Sequence, residues 1–207
     1  MTTPIREKMI AKVAAQREEL RQRDPRQFAV QAGVEFSDGV LRVRFYNEPH
    51  IITFPDLNVR VEATNKECGL NRSSMFLYYF LTADGAPRAD KWIAFRDLPG
   101  GMFYHQAYQG YSGDRLAKAI DNHVSVFERA AKNLGGIQLD LGDASFAFDA
   151  LPRVRVAAIY YAGDEDFPAS ANVLFDASAS HYLPTDALAG VGSALVDRLT
   201  GTESKDD

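Results

Sequence analysis

The dipeptide Asp38-Gly39 constrains the fold of this chain more than any other local feature, because it favours a two-residue turn of type I′ between two apolar runs. Folding the chain about this turn places Phe36 opposite Leu41 on one face of a β-hairpin. The same register sets Glu35 opposite Arg42 on the other face, where opposite charges attract. Turn residues, apolar alternation and charge agree, and together they predict an antiparallel hairpin.

Patterns on either side of the hairpin alternate between helix and strand spacing. Apolar residues at helical spacing and capping signals predict helices over residues 3–23, 24–33, 71–81, 114–134 and 184–199. Short runs of apolar residues predict strands over residues 51–54, 59–62, 92–95, 137–139, 145–148, 154–161 and 172–175. We therefore expect an α+β fold with an antiparallel or mixed sheet and helices packed against it.

Length and composition indicate one domain. A chain of 207 residues can bury about 70% of the surface that its unfolded form exposes. No long linker rich in Pro, Gly or Ser interrupts it. We expect a single domain over residues 1–200, which begins with the N-terminal helices of residues 1–33, and a disordered tail over residues 201–207.

Composition also predicts a cytoplasmic location and argues against membranes and nucleic acid as partners. A single cysteine, Cys68, excludes an internal disulfide and any CxxC-type metal site. The longest apolar runs, such as Met75 to Leu81, hold 7 residues, whereas a membrane-spanning helix needs about 20. Residues 137–207 carry 4 basic and 12 acidic side chains, a balance that repels a phosphate backbone.

The segment from Gly163 to Pro184 is the most distinctive part of the chain. A predicted central strand over residues 154–161 leads into it, and loops at strand ends often carry binding sites. Asp164 and Glu165 in this loop are compatible with three roles: holding a tight turn, contacting a ligand or cation, or acid–base catalysis. His181 has no Gly-x-Ser-x-Gly elbow near it, so a structural or surface histidine competes with a catalytic one.

Aromatic residues surround a histidine just after the flexible pair Gly100-Gly101. Tyr104, His105 and Tyr108 could stack on a planar ligand, and His105 could supply an axial ligand to the metal of a tetrapyrrole. The same residues are equally compatible with a partly buried aromatic loop. The pattern therefore marks a candidate ligand-binding loop over residues 100–111.

Three other features have structural or surface explanations. His123 lies on the core-facing stripe of its predicted helix, and His50, beside a proline in a turn, is expected to be exposed. The run from Gly190 to Gly192 resembles a truncated dinucleotide fingerprint, but it lies inside an amphipathic helix and follows no strand. Close helix packing at these glycines explains the run better.

Several motifs resemble, in sequence order, a prokaryotic family catalogued as domain of unknown function 3786. They span roughly residues 70–200 and comprise the runs Lys91–Gly101, Leu151-Pro152, Gly163–Pro168, Leu174–Asp176 and His181–Pro184. The resemblance implies an anaerobic host and a link to corrinoid and one-carbon metabolism. It implies no catalytic residues, and the iron–sulfur cysteine motifs of some members are missing here.

Together these observations predict a non-catalytic accessory protein that binds a ligand or cofactor between the 100–111 loop and residues 163–182. The resemblance makes a corrinoid or other tetrapyrrole, or the protein that carries one, the most specific candidate partner. One alternative is an enzyme that uses Asp164, Glu165 or His181 as acid–base groups. Another is a structural partner whose acidic C-terminal half docks on a basic surface.

Overall fold

The computed structural model of the chain describes residues 3–202, and the predicted α+β fold, a single domain, is confirmed. These residues form α1 (Pro4–Arg21), α2 (Pro25–Ala32), β1 (Glu35–Ser37), β2 (Val40–Phe45), β3 (Glu48–Thr53), β4 (Val59–Val61), α3 (Leu70–Thr82), β5 (Trp92–Ile93), α4 (His105–Tyr111), α5 (Gly113–Ile120), α6 (Val124–Asn133), β6 (Ile137–Gln138), β7 (Ala144–Leu151), β8 (Val154–Tyr161), β9 (Ser170–Asp176) and α7 (Thr185–Thr200). Residues 203–207 of the predicted tail lie outside the described residues.

The strands form two sheets, and each of them is antiparallel throughout. The smaller sheet has the order β1-β2-β3-β4, and the larger has the order β5-β9-β8-β7-β6, so β8 is central as predicted. The first hairpin has the predicted register, with Glu35 opposite Arg42. Its turn residues Asp38 and Gly39 have φ angles of 53° and 74°, the left-handed values that a type I′ turn requires.

The N-terminal helices begin and end at the predicted signals. Pro4 is the first residue of α1, where the missing N–H group costs no hydrogen bond. The Asp24 carboxylate caps α2 by accepting a hydrogen bond from the Arg26 N–H at 2.9 Å. Gly33 ends that helix with a φ of 69°, a conformation that glycine adopts without steric cost.

The two sheets and the helices between them share one core. The Tyr46 N–H, just after β2, donates to the Ala150 carbonyl of β7 at 2.8 Å and so joins the sheets. On α3, the Phe76 ring packs edge-on against Phe45 of the smaller sheet. On α7, the Val191 carbonyl accepts from the Tyr46 hydroxyl at 2.8 Å. Helices α3 and α7 therefore both contact the smaller sheet at the end of β2.

The predicted long helix over residues 114–134 is wrong, because the chain breaks it into α5 and α6. Asp121 and Asn122 have φ angles of 44° and 61°, which short polar side chains tolerate better than others. The Asn122 side chain accepts a hydrogen bond from the Gly163 N–H at 2.7 Å, and its own N–H donates to the Tyr160 hydroxyl at 3.0 Å. The break also leaves His123 exposed at the start of α6 instead of facing the core.

Residues 92–111 also depart from the prediction. The strand β5 stops at Ile93, and Phe95–Asp97 forms a 3₁₀ turn. The predicted 100–111 loop is mostly helical, with a 3₁₀ turn over Gly101–Phe103 and then α4. The backbone folds tightly on itself here, and position 101 requires glycine, since a side chain there would collide with the Phe95 carbonyl oxygen.

Candidate functional site

The aromatic candidates on α4 face different environments. Tyr104 is 71% exposed, His105 is half-buried, and Tyr108 is 2% exposed. Tyr108 stacks on Phe95 with 4.1 Å between the ring centroids, and burial raises the pKa of its hydroxyl well above the usual value. The three predicted residues therefore do not line one surface, and Tyr108 packs in the core.

The imidazole of His105 is oriented by the turn that precedes α4. Its Nδ1 lies 2.7 Å from the Met102 carbonyl oxygen, so this nitrogen carries the proton and donates the hydrogen bond. In that tautomer Nε2 is the nitrogen that can bind a metal. Large exposed side chains precede it: Met102, Phe103 and Tyr104.

The acidic loop after β8 forms a hydrogen-bonded turn. The Asp164 carboxylate accepts from the N–H groups of Asp166 and Phe167 at 2.9 and 2.8 Å, and its own N–H donates to the Phe167 carbonyl. Glu165 is exposed beside it. A side chain at position 163 would lie 2.5 Å from the Ala169 nitrogen, so the turn requires glycine there. Of the three roles predicted for Asp164, its contacts agree with the first, which is to hold a tight turn.

His181 lies at the other end of β9 from this loop. Residues 162–169 connect β8 to the start of β9, whereas His181 follows the end of β9, and seven residues of strand extend about 20 Å. His181 is exposed, and its Nδ1 lies 2.6 Å from the Asp84 carboxylate. That hydrogen bond lowers the pKa of Asp84. The structure therefore does not bring His181 together with Asp164 and Glu165.

A cluster that the sequence analysis missed gathers around Glu48, the first residue of β3. The Glu48 Oε2 atom lies 3.0 Å from Arg72 Nη1 and 3.6 Å from Arg198 Nη2. Arg72 comes from the first turn of α3 and Arg198 from the last turn of α7, so three elements meet here. The side chains of the two arginines are 12% and 21% exposed, so both are largely buried, whereas the Glu48 side chain is 39% exposed and reaches solvent.

Aromatic rings hold the two guanidinium groups in place. The Cζ atoms of Arg72 and Arg198 lie 5.5 and 4.9 Å from the centre of the Phe45 ring, and Arg198 also lies 5.0 Å from the Tyr46 ring. Cations at this distance are attracted to the ring faces. Burial lowers the pKa of Arg198, although arginine keeps its charge at neutral pH.

His50 borders the same cluster and is fully buried, which makes the predicted exposure wrong. Strand β3 begins at Glu48, earlier than predicted, so His50 faces inward together with Ile52. Its Nδ1 lies 2.9 Å from the Glu48 carbonyl oxygen, and its Nε2 lies 3.5 Å from the Glu48 carboxylate. Burial lowers the pKa of His50, so the imidazole is neutral at neutral pH.

A groove of about 1020 Å³ opens beside these charges, and we call it the Glu48 groove. Its polar lining is contributed by Asn47, Glu48, Lys66, Arg72, Asn133, Asp197, Arg198, Thr200 and Thr202. A second cavity, of about 300 Å³, lies between α1, α3 and α7, and we call it the helix cavity. Arg72 lines both.

One sequence signal pointed to this cluster. Arg72 is the single charged residue in α3, a helix that is otherwise almost entirely apolar or hydroxylic. A charged group on a buried helix needs a partner or a wet cavity. The sequence does not indicate which residues supply them, because Glu48 and Arg198 lie far away along the chain.

The described residues contain neither a helix that could span a membrane nor a cluster of metal-binding side chains. No helix between Thr3 and Thr202 has the length and apolar composition needed to cross a membrane. Within the same range, no three His, Cys, Asp or Glu side chains are grouped so that they could hold a metal ion.

Comparison with known proteins supports the resemblance noted in the motifs. The sequence model of a family described as Domain of unknown function (DUF3786) matches residues 24–198. No curated protein and no solved structure matches the chain. The family is confirmed, whereas the prokaryotic host, the cytoplasmic location and the link to corrinoids stay predictions.

Proposed function

We propose that this chain, which belongs to the DUF3786 family, is a non-catalytic protein that binds an anionic small molecule in the Glu48 groove. The observation that carries the proposal is the convergence of two largely buried guanidinium groups, Arg72 and Arg198, on one carboxylate at the wall of an open groove. Planar guanidinium groups match carboxylates and phosphates in shape and charge.

The charges that line the Glu48 groove support the binding of an anion. Its lining includes three basic side chains, Lys66, Arg72 and Arg198, and two acidic ones. One of the acids, Asp197, is engaged by Arg115 of α5 at 2.6 Å, and Arg115 does not line the groove. A positive groove in a chain of net charge −5 attracts anions locally, because the flanking protein excludes water from part of the site.

The test is isothermal titration calorimetry with inorganic phosphate and with succinate, at low salt. We expect binding to the wild type and an affinity at least tenfold lower for Arg198→Gln. Arg96→Gln is the matched control, because Arg96 is an exposed arginine on the 3₁₀ turn over Phe95–Asp97. The absence of binding heat for every anion, or an equal loss in both variants, would contradict the proposal.

Glu48→Gln distinguishes binding from a purely structural role. Removing the carboxylate takes away the negative charge with which a bound anion competes, so we expect several-fold tighter anion binding. If the cluster only held α3 and α7 against β3, the variant would lose stability and show no gain in affinity. The same titration, paired with thermal unfolding, measures both quantities.

A second candidate function is the binding of a tetrapyrrole, or of a protein that carries one, at the start of α4. The observation that favours it is the orientation of the His105 imidazole, whose Nδ1–H donates to the Met102 carbonyl and leaves Nε2 as the nitrogen that could bind a metal. Exposed side chains beside it, including Phe103 at 91%, offer apolar contact to a planar ring.

Absorption spectroscopy tests this second function with haemin and aquocobalamin as probes. Ligation by His105 shifts the visible bands of the probe, and His105→Ala abolishes the shift. His123→Ala is the control, because His123 is an exposed histidine at the start of another helix. An unchanged spectrum on mixing, or a shift that survives in His105→Ala, would exclude His105 as a ligand.

A further inference from the structure

The helix cavity lies beside the cluster around Glu48. Helices α1, α3 and α7 form its walls, and Phe45, whose ring also lies against Arg72 and Arg198, lines it as well. Its apolar lining is contributed by Met9, Phe45, Met75, Tyr78, Ala187 and Ala194. Its volume of about 300 Å³ corresponds to about ten water molecules, enough for a short hydrocarbon chain or one aromatic ring.

Helix α7 leaves open space in the helix cavity at Gly190, which has no side chain. A Cβ atom added at Gly190 would have no heavy atom within 4 Å. Two positions further along the same helix, a Cβ atom at Gly192 would lie 2.1 Å from the Tyr108 hydroxyl oxygen. The predicted close helix packing is therefore confirmed at Gly192 and wrong at Gly190, which borders open space.

Polar groups that line the helix cavity indicate a ligand with a polar end. The Ser74 hydroxyl is buried and makes no hydrogen bond to any residue between Thr3 and Thr202. A buried hydroxyl without a partner is costly, and Ser74 is one of the residues that line the helix cavity. Lys12 also lines it, with its Nζ 3.6 Å from the Asp186 carboxylate and 4.6 Å from the centre of the Tyr78 ring.

We infer that the ligand is a small amphipathic carboxylic acid, whose apolar part occupies the helix cavity while its carboxylate binds beside Arg72 and Arg198. Arg72 makes this arrangement possible, because it lines both the helix cavity and the Glu48 groove. The inference rests on the proposed anion binding and adds the class of ligand. A tetrapyrrole macrocycle is too large for the helix cavity, so this ligand differs from the one considered for His105.

The inference predicts a dependence on chain length. Each methylene group removed from water stabilises the complex enough to raise the affinity about fourfold. Calorimetric titrations with butyrate, hexanoate and octanoate should therefore give affinities that increase along the series for the wild type. Flat affinities across the series would overturn the inference while leaving the proposed anion binding intact.

Gly190→Leu is the decisive variant. The new side chain occupies space in the helix cavity, so we expect the variant to lose the rise in affinity from butyrate to octanoate. It should keep the wild-type affinity for inorganic phosphate, which has no apolar part, because Gly190 does not line the Glu48 groove. It should melt no lower than the wild type, because nothing lies within 4 Å of the added Cβ atom. Gly110→Leu is the matched control, since Gly110 is an exposed helical glycine whose added Cβ atom also meets nothing within 4 Å.

The results of these titrations distinguish the proposed anion binding in the Glu48 groove from the inferred occupation of the helix cavity. If Arg198→Gln and the wild type both fail to bind any of the three acids or phosphate, the proposed anion binding itself is wrong. If the acids bind with rising affinity and Gly190→Leu preserves that rise, the apolar part lies outside the helix cavity and the inference is wrong. Loss of the rise in Gly190→Leu, with retention in Gly110→Leu, supports it.

Discussion

The segment Gly163–Pro184 and the cluster around Glu48 represent two opposite ways of placing polar residues. In the segment, carboxylates such as Asp164 and Asp176 accept hydrogen bonds from nearby backbone N–H groups. In the cluster, Glu48 contacts side chains from two distant helices. In this chain the distinctive sequence of Gly163–Pro184 forms turns. The cluster best suited to bind a ligand consists of residues that lie far apart in the sequence and belong to no recognisable motif.

The strongest test of this contrast is Asp176→Ala. The Asp176 carboxylate is buried and accepts from the Ser178 N–H, the Ser178 hydroxyl and the Ala89 N–H at 2.9, 2.6 and 3.0 Å. Leaving these donors without an acceptor should lower the free energy of unfolding by about 3 kcal/mol. Urea denaturation measures the loss.

Anion binding to the folded Asp176→Ala variant should equal that of the wild type, since the residue does not line the Glu48 groove. Asp166→Ala, at an exposed aspartate of the same segment, serves as the control and should retain stability. A weaker affinity for phosphate in Asp176→Ala would break the distinction between a structural segment and a binding cluster.

The buried histidine of the cluster predicts a specific dependence on pH. Burial lowers the pKa of His50 in the folded state below its unfolded value of about 6.5, so the unfolded chain binds the proton first. The free energy of unfolding should therefore fall as the pH drops below about 6.5, by up to about 1.4 kcal/mol per pH unit.

Burial is the largest influence on the pKa of His50, and the positive charges of Arg72 and Arg198 lower that pKa further, whereas Glu48 raises it by a smaller amount than burial lowers it. His50→Gln should reduce the slope of stability against pH below about 6.5, and His123→Gln, at an exposed histidine, should leave it unchanged. Equal slopes in His50→Gln and the wild type, measured by denaturation at several pH values, would contradict a buried neutral imidazole.

Asp164→Ala should have a smaller effect. It removes the acceptor for the N–H groups of Asp166 and Phe167, both of which are exposed and can bond to water instead. We expect a loss of about 1 kcal/mol in the free energy of unfolding. Asp164→Asn keeps an acceptor oxygen and should recover most of it. A ligand-binding defect without a change in stability would show that this turn has a binding role.

His181→Gln should have the smallest effect. The His181–Asp84 pair is about half exposed on both sides, so solvent screens it and its removal should cost less than about 0.5 kcal/mol. The hydrogen bond from His181 lowers the pKa of Asp84, so what stability the pair adds is present above about pH 4 and lost below it. A large loss of stability at neutral pH would place His181 among the structural residues of the fold.

Local signals in the sequence were sufficient where the physical cause is local. The turn at Asp38-Gly39 and the cap at Asp24 depend on backbone angles and hydrogen bonds within a few residues, and both were predicted correctly. The helix break at Asp121 and Asn122 was missed, because the left-handed backbone there is supported by contacts with Tyr160 and Gly163. Apolar periodicity alone favoured one continuous helix.

Local residue patterns were enough to predict the α+β class, the first hairpin, the helix ends at Pro4 and Gly33, and the family. The separation of His181 from Asp164 and the contacts of Arg72 and Arg198 with Glu48 became evident from the packed fold alone. These two groups of features differ in the range of the interactions behind them. Turns and caps are set by neighbouring residues, whereas a binding site depends on which faces of distant helices and strands pack together.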